Sequence, residues 1–198
     1  MRRMPAIQAP DLKDRPARER ILLTAHELFY CVGIRATGID RVIAESGVTK
    51  VTFYRHFPSK NDLVRAFLEQ RHERWIAWFS DALRRHGADR GRGVEALVPA
   101  LGEWLRRPGY RGCAFINSAA ELGRAMPEVV DIARRHKLEM TAAIATLLLP
   151  PSRRRGRDAQ AVALAVDGAL VQAQIDATPD AALKALDRLL KCLGAYAP

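Results

Sequence analysis

From Ser46 to Asn61 the sequence has no acidic side chain, and Gly47 separates two stretches that are each too short for more than about two turns of helix. Few folds use such a pattern. Thr37-Gly38-Ile39-Asp40 reads as a capping box, with a threonine hydroxyl for the third amide and a carboxylate to reach back. The helix it opens runs to about Ser46, and Gly47 supplies the turn. Thr49 is placed to cap a second short helix, which Pro58 stops. Ser59-Lys60-Asn61-Asp62 reads as another capping box opening a much longer helix. Two short helices joined by a glycine turn and flanked by longer ones form a helix-turn-helix inside a small bundle.

The rest of the chain also reads as helix. Ala, Leu, Arg and Glu dominate and period-two alternation is nearly absent, so the fold class is all-α with about nine helices. Ile21, Leu22, Ala25, Leu28 and Phe29 share one face of a first helix from about Arg15 to Val32, which Gly33 ends. The fourth helix runs to about Arg85 and carries Leu63, Phe67, Trp75, Trp78 and Phe79. Further helices are expected near 94–107, 113–124, 127–149, 158–176 and 180–195, with a basic link from Pro150 to Gly156. This predicts an N-terminal arm over 1–14, a helix-turn-helix domain over 15–62 and a regulatory and dimerisation domain over 63–198.

A helix lying in a major groove sits between two rows of phosphates, where a carboxylate is repelled. Lys50, Arg55, His56 and Lys60 supply positive or protonatable groups, and Thr49, Thr52 and Tyr54 supply hydroxyls. Val48, Phe53 and Phe57 supply the apolar side that holds the helix to its neighbours. Lys50, Val51, Thr52 and Tyr54 are expected to face base edges, with Val51 suited to a thymine methyl. Thr37, Arg41, Thr49, Arg55, His56 and Lys60 are expected at phosphates, and Asp40 is expected to serve as a cap partner.

The stretch Thr37–Lys60 resembles the DNA-binding signature of the TetR/AcrR family of transcriptional regulators. Leu28-Phe29, Gly33, Thr37, Gly47-Val48, Phe53-Tyr54, His56-Phe57, Lys60 and Leu63 carry the resemblance, with Phe53 where the family usually has leucine. Arg111–Glu121 and Ala165–Leu170 resemble stretches of one group of regulatory domains in that family. The resemblance implies an all-helical homodimer that binds operator DNA, represses nearby genes and releases its site when a small-molecule effector binds the C-terminal domain.

Such a sensor needs a pocket. Trp75, Trp78, Phe79, Trp104 and Phe115, with Met126 and Met140, are candidate lining residues, though each also suits an ordinary core. Asn117 and Glu121 are four apart and Cys113 falls on the same stripe, so the three could orient a ligand or satisfy backbone at a helix kink. A thiol-redox response through Cys113 is an alternative to ligand control. Leu164, Ala165, Gly168, Ala169, Leu186 and Leu190 on the last two helices are candidates for a four-helix dimer contact, since a helix-turn-helix protein reads two half-sites.

Composition narrows the classes further. The net charge of +10 favours a polyanionic partner. Three separated cysteines imply no disulfide framework, and the five histidines lack metal-ligand spacing, so no metal or cofactor is expected. No nucleophile–base–acid set or phosphate loop argues for an enzyme. No apolar run suits a membrane span and no secretory signal is evident, so a cytoplasmic location is expected. An effector-independent architectural DNA binder is the competing binding-module reading.

Overall fold

In the computed structural model, residues 14–148, 154–176 and 178–193 are described. The arm expected over 1–14 lies, apart from Asp14, outside the described residues, as do residues 150–153 of the link expected from Pro150 to Gly156, whose last two residues, Arg155 and Gly156, begin a helix instead. The described chain is all α, with α1 Ala17–Cys31, α2 Ile39–Ser46, α3 Lys50–His56, α4 Lys60–Arg85, α5 Leu97–Leu105, α6 Ala114–Leu122, α7 Pro127–Ala145, α8 Arg155–Ile175 and α9 Asp180–Cys192.

Short-range chemistry sets most of the boundaries. Gly33 (φ 102°) and Gly47 (φ 64°) occupy left-handed backbone, which an L side chain rarely adopts, and they end α1 and α2. The Thr49 hydroxyl accepts the Thr52 amide at 3.2 Å and caps α3. The Ser59 hydroxyl accepts the Asp62 amide at 3.2 Å and caps α4. The start of the expected fifth helix is instead a 3-10 turn, Gly93–Ala96, and regular α-helix begins at Leu97. Helix α7 stops at Ala145, short of 149, and the Arg155 guanidinium at the start of α8 donates to the Ala145 carbonyl. That guanidinium satisfies one of the terminal carbonyls every helix leaves open.

One capping expectation is overturned. Gly38 stands at the N-cap of α2 with no side-chain cap. The Thr37 hydroxyl turns the other way and donates to the Gly33 carbonyl at 2.7 Å. Asp40 therefore has no cap partner in Thr37, and its carboxylate lies 3.7 Å from the Lys50 ammonium.

The chain divides into two compact units. One holds residues through Glu73 together with Ala114–Ala133; the other holds Arg74–Cys113 and the residues from Arg134 onward. This differs from the boundary expected after residue 62. The helix-turn-helix unit extends along α4 because Leu63, Val64, Phe67 and Leu68 are buried, with Phe67 edge-on to Phe29 at 5.5 Å. In the same unit Ile21, Leu22, Ala25, Ile34, Val42, Phe53 and Phe57 complete the core that fixes α2 and α3 on α1. In the other unit α8 packs along α9, and α5 packs on α9. An aromatic cluster there is centred on Trp75, which stacks on Phe79 at 4.7 Å and meets Trp104 edge-on at 5.3 Å.

Candidate nucleic-acid interface

Helix α3 is held by one side. Phe53 is fully buried, Phe57 nearly so, and the Arg18 guanidinium lies 5.4 Å over the Phe57 ring. The opposite side is open. Val51 is 71% exposed and Tyr54 40%. Lys50 and Arg55 are exposed beside them, and Thr52 and His56 are half-buried. The Tyr54 ring is braced edge-on by Phe53 at 5.3 Å, so a buried residue orients an exposed one. The Thr49 and Thr52 hydroxyls are 2.9 Å apart at the start of the helix.

Around α3 the expected contact residues divide. Arg41 is exposed and pairs with Glu45 along α2 at 2.7 Å. Lys60 begins α4 and is half-buried. Desolvation pushes its ammonium below the usual lysine range, and the Glu121 carboxylate opposes that shift. Thr37 is the exception: at 0% exposure, with its hydroxyl committed to carbonyls inside the bundle, it has no surface to offer a phosphate. It is a turn-fixing residue, and its expected place at the DNA is corrected on that ground.

The expected sensor residues fall into both units. Trp75, Trp78, Phe79 and Trp104 form the buried aromatic cluster of the C-terminal unit. Cys113 belongs to that unit and precedes α6, so it does not share a helix with Asn117 and Glu121. Its sulfur accepts from the Lys137 ammonium at 3.6 Å, and that ammonium also pairs with Asp167. Phe115, Asn117 and Glu121 lie on α6 in the helix-turn-helix unit. Phe115 is buried with His72 edge-on at 6.4 Å, and Asn117 is half-buried.

Glu121 has a partner that the sequence did not indicate. Its carboxylate accepts the backbone amides of Ile34, at 3.1 Å, and of Arg35. These amides follow the left-handed Gly33, where a Cβ would meet the Glu121 carboxylate oxygen at 3.5 Å. Of the two roles open to Glu121, backbone satisfaction is the one its contacts display. A buried Arg71, whose guanidinium lies 3.9 Å over the Tyr30 ring, was not foreseen either; its distance from Tyr30 in sequence hides the pair.

On α8 and α9 the expected interface residues also separate. Leu164 is 75% exposed and Gly168 is open, while Ala165 is half-buried. Ala169, Leu186 and Leu190 are buried within the protomer, so they are core rather than free surface. The exposed large apolar side chains of these helices are Leu164, Val171, Ile175 and Leu189, with Leu193 just beyond α9.

An all-helical chain with a helix-turn-helix whose second helix shows bare, acid-free polar chemistry defines a DNA-binding protein. Residues 21–67 match the family described as bacterial regulatory proteins, tetR family. A TetR-family transcriptional regulator from Streptomyces coelicolor, SCO4454, has a similar structure at 30% identity and a TM-score of 0.74, over 88% of this chain and 94% of that one. The protein belongs to the TetR family and is a DNA-binding transcriptional regulator. The transcriptional activator FasR of Mycolicibacterium smegmatis is 32% identical over 96 residues, 48% of this chain; the match spans only 43% of FasR. The multidrug binding protein EbrR, solved with malachite green, is similar at 26% identity and a TM-score of 0.68, over 87% of this chain and 96% of that one. Among the described residues no helix is long and apolar enough to cross a membrane.

Proposed function

We propose that this protein is a ligand-responsive repressor that binds its operator as a homodimer and is released by a small-molecule effector. The observation that carries the DNA-binding half is the outward face of α3, where Val51 and Tyr54 stand exposed beside Lys50 and Arg55 over a fully buried Phe53. Lys50, Val51, Thr52 and Tyr54 read base edges; Arg41, Thr49, Arg55, His56 and Lys60 hold phosphates. Two copies on one duplex place two α3 helices about 34–36 Å apart, which requires a two-fold dimer. The exposed row of Leu164, Val171 and Ile175 on α8, with Leu189 on α9, supplies its apolar surface.

Effector control is supported by the likeness to EbrR with its bound malachite green, and by the aromatic cluster around Trp75. An effector shifts an equilibrium only through its different affinity for the two states. Helix α4 is the element suited to report it, since it starts at Lys60 and carries Trp75, Trp78 and Phe79 farther along. The protein acts on DNA in the cytoplasm and performs no chemistry of its own. FasR is named an activator, so the sign of control is part of the test. Selection of bound DNA from a random pool, followed by a reporter driven from that site, gives repression on the present reading. Activation would reverse the sign, and failure to enrich any sequence would remove the reading.

A second reading is favoured by the Lys137 ammonium at 3.6 Å from the Cys113 sulfur. A cationic neighbour is the usual companion of a reactive thiol, so oxidant control through Cys113 competes with effector control. Operator release by peroxide in the wild type but not in Cys113→Ser would select it.

A further inference from the structure

Buried indole N–H groups usually find an acceptor. In the aromatic cluster two do not. The Nε1 groups of Trp75 and Trp78 are closed off from solvent and, among the described residues, donate to no group. Both side chains are at least nine-tenths buried, and their rings lie 6.1 Å apart, three residues from one another on α4. The cluster is otherwise well made: Trp104 meets Trp75 at 5.3 Å and Trp78 at 6.2 Å. By contrast, the Tyr110 hydroxyl at its margin donates to the Leu170 carbonyl at 2.8 Å. An unmet donor is costly, so two in one cluster call for an explanation beyond packing.

The charge that lies directly over the cluster is positive. The Arg107 guanidinium lies 4.9 Å over the face of Trp78, covering the ring face that would attract a cation. Desolvation pushes the Arg107 pKa down, with the Glu103 carboxylate opposing and Arg85 adding to the shift. Glu103 itself is held by Arg85 at 2.6 Å. A cationic ligand therefore meets a covered face and an engaged carboxylate, whereas an oxygen acceptor would satisfy two unmet donors.

We propose that the cluster formed by Trp75, Trp78 and Trp104 is a binding site for a flat, neutral or anionic aromatic compound bearing oxygen acceptors, which takes the two indole N–H groups. The assignment rests on the effector reading above and specifies its ligand class.

The test uses the full-length protein on its operator with four probes: flavone, 1-naphthoate, naphthalene and malachite green. Calorimetry reads binding, and anisotropy of labelled operator reads release. Flavone and 1-naphthoate bind and release the operator, and naphthalene and malachite green bind at least tenfold more weakly. Trp75→Phe and Trp78→Phe, which keep an aromatic ring and delete the donor, each weaken flavone by about tenfold, the scale of one hydrogen bond. Both leave naphthalene unchanged, which shows that the cluster still folds. Equal binding of flavone and naphthalene, tightest binding of malachite green, no binding of any probe, or indifference of flavone to both substitutions overturns the proposal. Operator release by malachite green, untouched by either substitution, keeps the effector reading while overturning this ligand class. Flavone binding that is lost in Trp78→Phe but never releases the operator supports the site and removes the effector reading.

Discussion

The Glu121 carboxylate accepts the Ile34 backbone amide at 3.1 Å across 87 positions of sequence. The left-handed turn at Gly33 leaves the next amides without helical partners, and an acceptor from α6 meets them. A carboxylate serving two N–H groups is a charge-assisted contact, stronger than a neutral one. Glu121→Ala should lower stability by about 1–2 kcal/mol, the range for leaving a part-buried donor unmet. Urea unfolding at fixed pH measures it. If instead Glu121→Ala leaves the midpoint unchanged but alters effector affinity, Glu121 is a ligand group after all.

Lys60 separates stability from DNA binding. Burial disfavours its charged form, so at neutral pH the ammonium is a net burden on the folded state that the Glu121 carboxylate partly offsets. The sign follows: the burden is present below the depressed folded pKa and fades as pH rises through it toward the unfolded value. Lys60→Met should therefore keep or raise thermal stability while operator affinity falls, and the salt dependence of binding should flatten by about one unit. Unchanged affinity in a folded Lys60→Met protein would remove Lys60 from the phosphate set.

Tyr54→Ala removes an exposed ring braced by Phe53. Operator binding should be lost, with helical content and mass in solution as in the wild type. Val51→Ala, at a side chain 71% exposed, should cost about 1 kcal/mol or more at a single base pair and little elsewhere. Binding to a set of singly substituted operators distinguishes this from a uniform loss.

Helices α8 and α9 give a paired prediction. Leu164→Glu or Ile175→Glu places a charge on the exposed apolar row and should yield a folded monomer by light scattering. Leu186→Glu buries a charge inside the protomer and should cost several kcal/mol of stability, with unfolding rather than clean dissociation. A stable dimer in both Leu164→Glu and Ile175→Glu would move the interface to another face.

What was legible in the sequence was short-range. Thr49, Ser59, Gly33 and Gly47 set their helix ends through contacts within a few residues, and the buried side of α3 followed from Phe53 and Phe57. Thr37 misled because a threonine three residues before an aspartate fits a capping box whichever way its hydroxyl turns; the Gly33 carbonyl won it. The pairing of Glu121 with Ile34 and Arg35 depends on tertiary packing and leaves no local trace. Leu164 on α8 and Leu186 on α9 were not separable by type, because each helix carries exposed as well as buried apolar residues. The division of the chain within α4 rather than before it has the same origin, since one unbroken helix holds residues of both units.

The central claim is that the outward face of α3 reads DNA in a sequence-specific way. Selection of bound duplexes from a random pool, run in parallel on the wild type and on a folded Tyr54→Ala protein, tests it most directly. The account predicts that the wild type enriches an inverted repeat whose half-site centres are one helical turn or a multiple apart, and that Tyr54→Ala enriches none. Enrichment of the same repeat by both proteins, or of no sequence by the wild type, would contradict it.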